Sequence, residues 1–218
     1  MNTELQLHKD VIAELAWDAR VAEKEIGVAV LDGVVTLTGC VATYAEKLAA
    51  ERAVERVAGV KAVANDLMVK LPSRFSHSDT EIAHKAADAL LWDVEVPDDK
   101  VTVSVTNGWV TIGGDVEWQY QRDAAARAMR NLAGVRGVTN NVRVIPTVVS
   151  PNNVSRSIRE ALERRADRTA DRITVDTKDG VVTLKGSVPS FGDRRAAEGA
   201  AWSAPGVLEV RDELAVVF

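Results

Sequence analysis

Apolar and polar positions follow two periods along this chain, and the change from one to the other recurs three times. Leu7, Val11 and Leu15 stand four residues apart, as do Ile82, Ala86 and Leu90, and then Val154, Ile158 and Leu162. That spacing draws one apolar stripe along a helix. Ser150 and Pro151 supply a helix start for the third of these segments. After each helix the period falls to two. Ile26, Val28 and Val30 alternate with less apolar residues, as do Val101, Val103 and Val105 and, less regularly, Ile173, Val175 and Thr177. Each run ends on Asp32-Gly33, Asn107-Gly108 or Asp179-Gly180, pairs that suit a two-residue type I′ turn with positive φ at both centres. Such a turn sets Val30 opposite Val35 and Val28 opposite Leu37, all four on one face of a sheet. The matching pairs are Val105 with Val110, Val103 with Ile112, Thr177 with Val182 and Val175 with Leu184.

A second helical segment follows, striped with small residues. It reads Ala50, Ala53, Val54, Val57, then Ala125, Ala128, Met129, Leu132, then Ala197, Ala200, Ala201, Ala204. Small side chains let a helix axis lie close to a sheet. "AGV", "AGV" and "PGV" come next, placing Gly59, Gly134 and Gly206 where a left-handed C-terminal cap is expected. The last run of each unit is a strand bearing Val63, Leu67 and Val69, then Val138, Val142 and Val144, then Val210, Leu214 and Val216. Asn65, Asn140 and Asp212 interrupt it at a fixed place, as residues that cap their own backbone or contact a ligand.

The glycines give the period. Gly33, Gly39 and Gly59 match Gly108, Gly114 and Gly134 at an offset of 75, and those match Gly180, Gly186 and Gly206 at an offset of 72. A repeat this long without internal gaps is three copies of one domain. The expected fold class is α+β: three tandem αββαβ domains over residues 1–71, 77–146 and 149–218, each a three-stranded mixed sheet with two helices on one face. The linkers "PSRFSHS" (72–78) and "PTVVSP" (146–151) read as short, semi-stiff spacers.

"DGVVTLTG", the alanine-rich helix and "AGVKAVANDLMV" together resemble the BON domain, the bacterial OsmY and nodulation domain. The resemblance spans nearly the whole chain, three times. It implies the αββαβ fold, no catalytic activity, and contact with phospholipid surfaces or other envelope proteins, in a family that includes osmotic-stress and pore-associated proteins. The chain departs from envelope members in lacking an export signal at its start. The third copy departs too, with Arg164 and Arg165 where the others have Trp17-Asp18 and Trp92-Asp93.

Composition narrows the function classes. The chain has 218 residues, 46% hydrophobic and 27% charged, so each copy builds its core from few residues. Net charge is −5 overall, and −3, −2 and 0 in residues 1–71, 72–147 and 148–218. That balance argues against nucleic acid as a partner, because phosphate neutralisation dominates such binding. It also argues against simple electrostatic adhesion to an anionic bilayer. The lone Cys40 forms no intrachain disulfide and reads as an ordinary reduced thiol beside a turn. No apolar run reaches the roughly 20 residues of a transmembrane helix, and the N-terminus does not pattern as a signal peptide. The expected location is cytoplasmic.

Catalytic and metal-binding patterns are not found. His8, His77 and His84 have no ligand spacing, no phosphate-cradling or dinucleotide fingerprint occurs, and the carboxylates are scattered. No cofactor, metal or catalytic residue is assigned. Two surface features are candidates for contact. The third copy carries Arg156, Arg159, Arg164, Arg165, Arg168 and Arg172; of these, Arg165, Arg168 and Arg172 share a face if the helix persists that far. Such a face suits phosphate groups, although Glu160, Glu163, Asp167 and Asp171 favour an internally balanced, solvated surface. The middle copy carries Trp109 and Trp118, with Tyr120 nearby, where the other copies have Val34 and Thr43 or Val181 and Ser190. The register aims Trp109 at the sheet face without helices, as a partner or membrane contact or as packing against a neighbouring copy. Ala29, Leu31 and Val34 make the first copy's outer face apolar as well, pointing to repeat-on-repeat or homo-oligomer contact. The expectation is a non-enzymatic, stress-associated binding protein in peripheral contact with phospholipid surfaces. The alternative is a cytosolic scaffold or chaperone-like holder of client proteins.

Overall fold

A computed structural model describes residues 4–145, 158, 173–178, 180–204 and 206–217. The elements fall in the expected order. The first repeat runs α1 (Glu4–Trp17), β1 (Ile26–Leu31), β2 (Val34–Val41), α2 (Tyr44–Glu55), β3 (Ala62–Asn65) and β4 (Met68–Val69). The second runs α3 (Asp79–Trp92), β5 (Val101–Thr106), β6 (Trp109–Val116), α4 (Gln119–Arg130) and β7 (Gly137–Val144). In the third, β8 (Ile173–Lys178), β9 (Val181–Val188), α5 (Phe191–Trp202) and β10 (Glu209–Val216) are described. Its first helix lies outside the described residues except for Ile158, which is fully buried among Val182, Leu184, Ala200 and Ala201.

Each repeat has its own sheet, with the second strand in the middle. β1 pairs antiparallel with β2, Val30 facing Val35 and Val28 facing Leu37. The same register holds at Val105–Val110 and Val103–Ile112, and at Thr177–Val182 and Val175–Leu184. β3 and β10 run parallel to their central strands, so the sheets of the first and third repeats are mixed. Turn chemistry explains the register. Asp32 and Asn107 take φ of 51° and 53°, followed by Gly33 and Gly108 at 83° and 76°. Two positive-φ residues match the twist of the paired strands.

The turn is also held from outside. The Asp79 carboxylate, at the start of α3, accepts from the backbone N–H of Asn107 (2.7 Å) and of Gly108 (2.8 Å). Glu4, its counterpart on α1, accepts from Asp32 N–H at 2.8 Å. The helix that covers the sheet thus also clamps the hairpin; the third copy has Pro151 at this position and no carboxylate there. The buried residues of α1 are Leu7, Val11 and Leu15, and those of α3 are Ile82, Ala86 and Leu90, the expected stripes. Ala50, Ala53 and Val54 of α2 and Ala197, Ala200 and Ala201 of α5 are buried likewise.

Two details differ from the sequence expectation. The left-handed glycines do not cap the second helices. α2 ends at Glu55 with Arg56 as its cap, and Gly59 (φ 98°) lies in the next turn, which Val60 N–H closes onto Val57 C=O. Gly134 (91°) and Gly206 (82°) are left-handed at the same repeat position. A short non-helical turn has already satisfied the last helical carbonyls, so the glycine redirects the chain into the final strand. The first sheet also counts four strands, because its last strand breaks between Asn65 and Met68. There the Leu67 N–H turns towards the Asn65 side chain at 3.4 Å.

The chain divides into two compact units. The first takes in residues up to Val116 and Tyr120–Arg143, the first two repeats; the second holds the third repeat, with Glu117–Gln119. Phe75 lies between the first two. It sits in the short turn Ser73–Phe75 of the linker and lines a small cleft with Tyr44, Leu71, Leu132 and Val135. The linker "PSRFSHS" thus brings an aromatic side chain to a cleft lined by both repeats.

Candidate functional site

Trp109 is half exposed, at 50%. Its ring is engaged within its own sheet. A Cβ on Gly137, in the adjacent strand β7, would lie 2.5 Å from the indole Cε3 and Cζ3. The indole Nε1 donates to Thr139 Oγ1 at 2.8 Å. Gly137 leaves the space, Trp109 fills it, and Thr139 satisfies the ring nitrogen, an aromatic-on-glycine pair across two strands. The other repeats have neither partner: Val34 faces Ala62, and Val181 faces Glu209. The free part of the ring remains on the outer face.

Trp118 stands between β6 and α4, exposed, with exposed Tyr120 two residues on. In the other repeats this position is the N-cap of the second helix. Thr43 Oγ1 accepts from Glu46 N–H at 3.1 Å and Ser190 Oγ from Asp193 N–H at 3.2 Å. The middle copy has a large aromatic where a capping hydroxyl would stabilise the helix by about 1 kcal/mol. Arg165, Arg168 and Arg172 lie outside the described residues.

Among the described residues the most exposed aromatics are Trp17 and Trp92, which the sequence shows as a repeated Trp-Asp pair but does not single out as contacts. Trp17 and Trp92 are 85% and 83% exposed, and each is the last residue of its repeat's first helix. Leu91 and Val94 are exposed beside Trp92. The following aspartate is engaged in each case. Asp18 is buried and receives two bonds from the Arg20 side chain, Nε at 2.8 Å and Nη2 at 2.6 Å, and one from its backbone N–H at 3.2 Å, with Arg56 Nη2 3.6 Å away. The Arg20 hydrogen bonds hold the Asp18 carboxyl well below the usual range, against the opposing effect of burial. Asp93 accepts from Glu95 N–H at 3.0 Å and turns the chain out of α3. The aspartate thus ends the helix and leaves the indole pointing at solvent. The signal was readable: a Trp-Asp pair repeated at the offset of 75, two residues beyond the last apolar stripe position. An exposed indole has an apolar face and a polar N–H, the chemistry of a group that sits at a membrane–water boundary.

The fixed polar position in the last strand is structural. Asn65 Nδ2 donates to Glu51 Oε2 (3.0 Å) and Asn140 Nδ2 to the Arg122 carbonyl (3.0 Å), while Asn140 Oδ1 accepts from Val142 N–H. Asp212 has no amide to donate. It accepts instead from Arg194 Nε at 2.6 Å and from Leu214 N–H at 2.9 Å. Each ties the last strand to the second helix.

Among the described residues no helix is long and apolar enough to cross a membrane. The chain is 31% identical over 143 residues to osmotically-inducible protein Y of Escherichia coli (strain K12), covering 62% of this chain and 71% of that protein. Two solved structures of CdsD, a structural protein of the type III secretion system of Chlamydia trachomatis, align over 96% and 99% of this chain and 91% and 100% of theirs. They do so at 13% identity, with TM-scores of 0.27 and 0.28, and carry no argument at those values. The BON domain model matches residues 3–70, 78–146 and 151–217. Three matches, each on one αββαβ repeat, place this chain in the BON domain family.

Proposed function

We propose that the chain is a non-catalytic, stress-associated protein that touches phospholipid surfaces from the side, through the indoles that end the first helices of its first two repeats. The observation that carries this reading is the repeated exposure of Trp17 and Trp92. An exposed tryptophan costs solubility, and two copies hold it at the same place. Osmotic induction is in the name of the Escherichia coli relative, and supports the stress association. With a net charge of −5, adhesion rests on apolar insertion more than on attraction to anionic lipid. Weak sites joined in one chain gain through effective concentration.

Co-sedimentation of the full chain with phosphatidylglycerol–phosphatidylcholine vesicles tests this. Wild type sediments with the lipid and W17S/W92S does not. The apolar outer face of the first sheet, with Leu31 and Val34 exposed, favours a second reading as a holder of client proteins. In that case L31S/V34S loses suppression of a model client's aggregation, while W17S/W92S retains it.

A further inference from the structure

The first compact unit holds a cleft of about 380 Å³ lined by four arginines, Arg20, Arg52, Arg127 and Arg130, in a chain whose net charge is −5. Arg20 and Arg52 come from the first repeat, Arg127 and Arg130 from the second. The single acidic residue of the lining, Glu46, already accepts from the backbone N–H groups of Ala22 and Ala42, both at 2.9 Å. Arg20 is paired with Asp18, and Arg127 with Glu95. Among the described residues no carboxylate pairs with Arg52 or Arg130. Two guanidinium groups without a carboxylate partner therefore line a concave site whose arginines outnumber its one carboxylate.

The repeat shows what one of them is missing. Arg52 and Arg127 are the same repeat position, at the offset of 75, and so are Arg20 and Glu95. In the second repeat this pair of positions is a salt bridge, Glu95 on Arg127. In the first repeat the same pair is Arg20 and Arg52, two cations. The carboxylate that the second copy supplies to Arg127 has no counterpart for Arg52, because Arg20 stands at that position and is itself paired with Asp18, which leaves the place for an anion from solution.

We propose that this cleft is a binding site for a phosphate-bearing anion, held by Arg52 and Arg130 with Arg20 and Arg127 at its edge. Planar guanidinium groups grip tetrahedral oxyanions through paired N–H donors. A phosphate carries between one and two negative charges at neutral pH, which suits a lining with more arginines than carboxylates. The cleft's volume lies in the range of small-molecule sites, and Leu48 and Ala49 give an organic portion an apolar wall. The site does not depend on the tryptophan contact with membranes.

Calorimetric titration of the full chain at physiological ionic strength tests the proposal, with inorganic phosphate, pyrophosphate and glycerol 3-phosphate as probes. Wild type binds at least one of them, and R52Q/R130Q weakens binding about tenfold or more. The control K9Q/K85Q removes the same formal charge at two exposed helix lysines that do not line the cleft, and changes binding less than about twofold. Binding of the soluble probes that leaves vesicle association untouched marks a free phosphate compound as the source. A loss of vesicle binding in R52Q/R130Q, together with competition by glycerol 3-phosphate, marks a lipid headgroup. No binding of any probe and no effect of R52Q/R130Q on vesicles overturns the proposal, as does an equal loss in the lysine control. If W17S/W92S abolishes vesicle binding and these variants bind phosphate normally, the two claims stand independently.

Discussion

Replacing Trp109 by Val separates packing from partner contact at the middle repeat. Half of the indole surface is covered, chiefly against β7. An aromatic side chain presents roughly 150–250 Å², so about 100 Å² is withdrawn from water, contributing about 2.5 kcal/mol. The exposed bond to Thr139 adds about 0.5–1 kcal/mol. Val keeps part of this surface, so W109V costs about 2 kcal/mol. Gly137→Ala beside Trp109 costs a similar amount, because its Cβ would lie 2.5 Å from the ring and displace it. The double variant W109V/G137A recreates the Val34–Ala62 pair of the first repeat. It recovers to within about 1 kcal/mol of wild type, a coupling of about 3 kcal/mol or more between the two sites. Scanning calorimetry of the full chain reads this as a fall of several degrees in the transition holding the middle repeat, for each single variant and not for the double. Additive losses would refute the packing argument. So would a W109V chain of unchanged stability.

Other outcomes follow from the hairpin clamp and the Asp18 pair. D79A removes the acceptor for two backbone N–H groups, costs about 1–3 kcal/mol, and speeds hydrogen exchange at Asn107 and Gly108. E4A, which removes one such bond, costs less. D18N loses the ion pair with Arg20 and destabilises the first unit by about 1–2 kcal/mol at neutral pH. Because the folded carboxyl titrates below its unfolded value, the Asp18 contribution is complete above about pH 4 and declines as the pH falls towards the lower folded value. Denaturant titrations at stepped pH therefore show the wild type and D18N converging only in acid.

What the sequence disclosed was local chemistry. Asp32-Gly33 names its own turn, the turn fixes the register, and the register fixes which of Val35 and Thr36 is buried. The stripes through Val11 and Ala53 are legible for the same reason: the period of the element carries them. What stayed hidden depends on residues far apart in sequence. Nothing adjacent to Trp109 announces Gly137 and Thr139 as its partners. Nothing near Asp79 announces that it will hold the turn at Asn107. Gly59 misled because a left-handed glycine after a helix usually caps it, whereas Arg56 had already ended this one. Phe75 hid in a segment that reads as polar linker. The arginine cleft draws on two repeats, so its charge is invisible in any one of them. Trp17 and Trp92 are legible as a repeated Trp-Asp pair, but their exposure is not, because the sequence does not show that the aspartate ends the helix and leaves the indole in solvent.

The central claim is that the exposed indoles of the first two repeats carry the contact with lipid. The most direct measurement is the vesicle partition coefficient of the full chain for wild type, W17S, W92S and the double variant, at low and high salt. Burying one large apolar side chain contributes on the order of 2 kcal/mol, so each single variant lowers partitioning by roughly tenfold or more. The double variant abolishes it, and salt changes it little. Partitioning that survives in W17S/W92S, or that high salt removes from the wild type, contradicts the account.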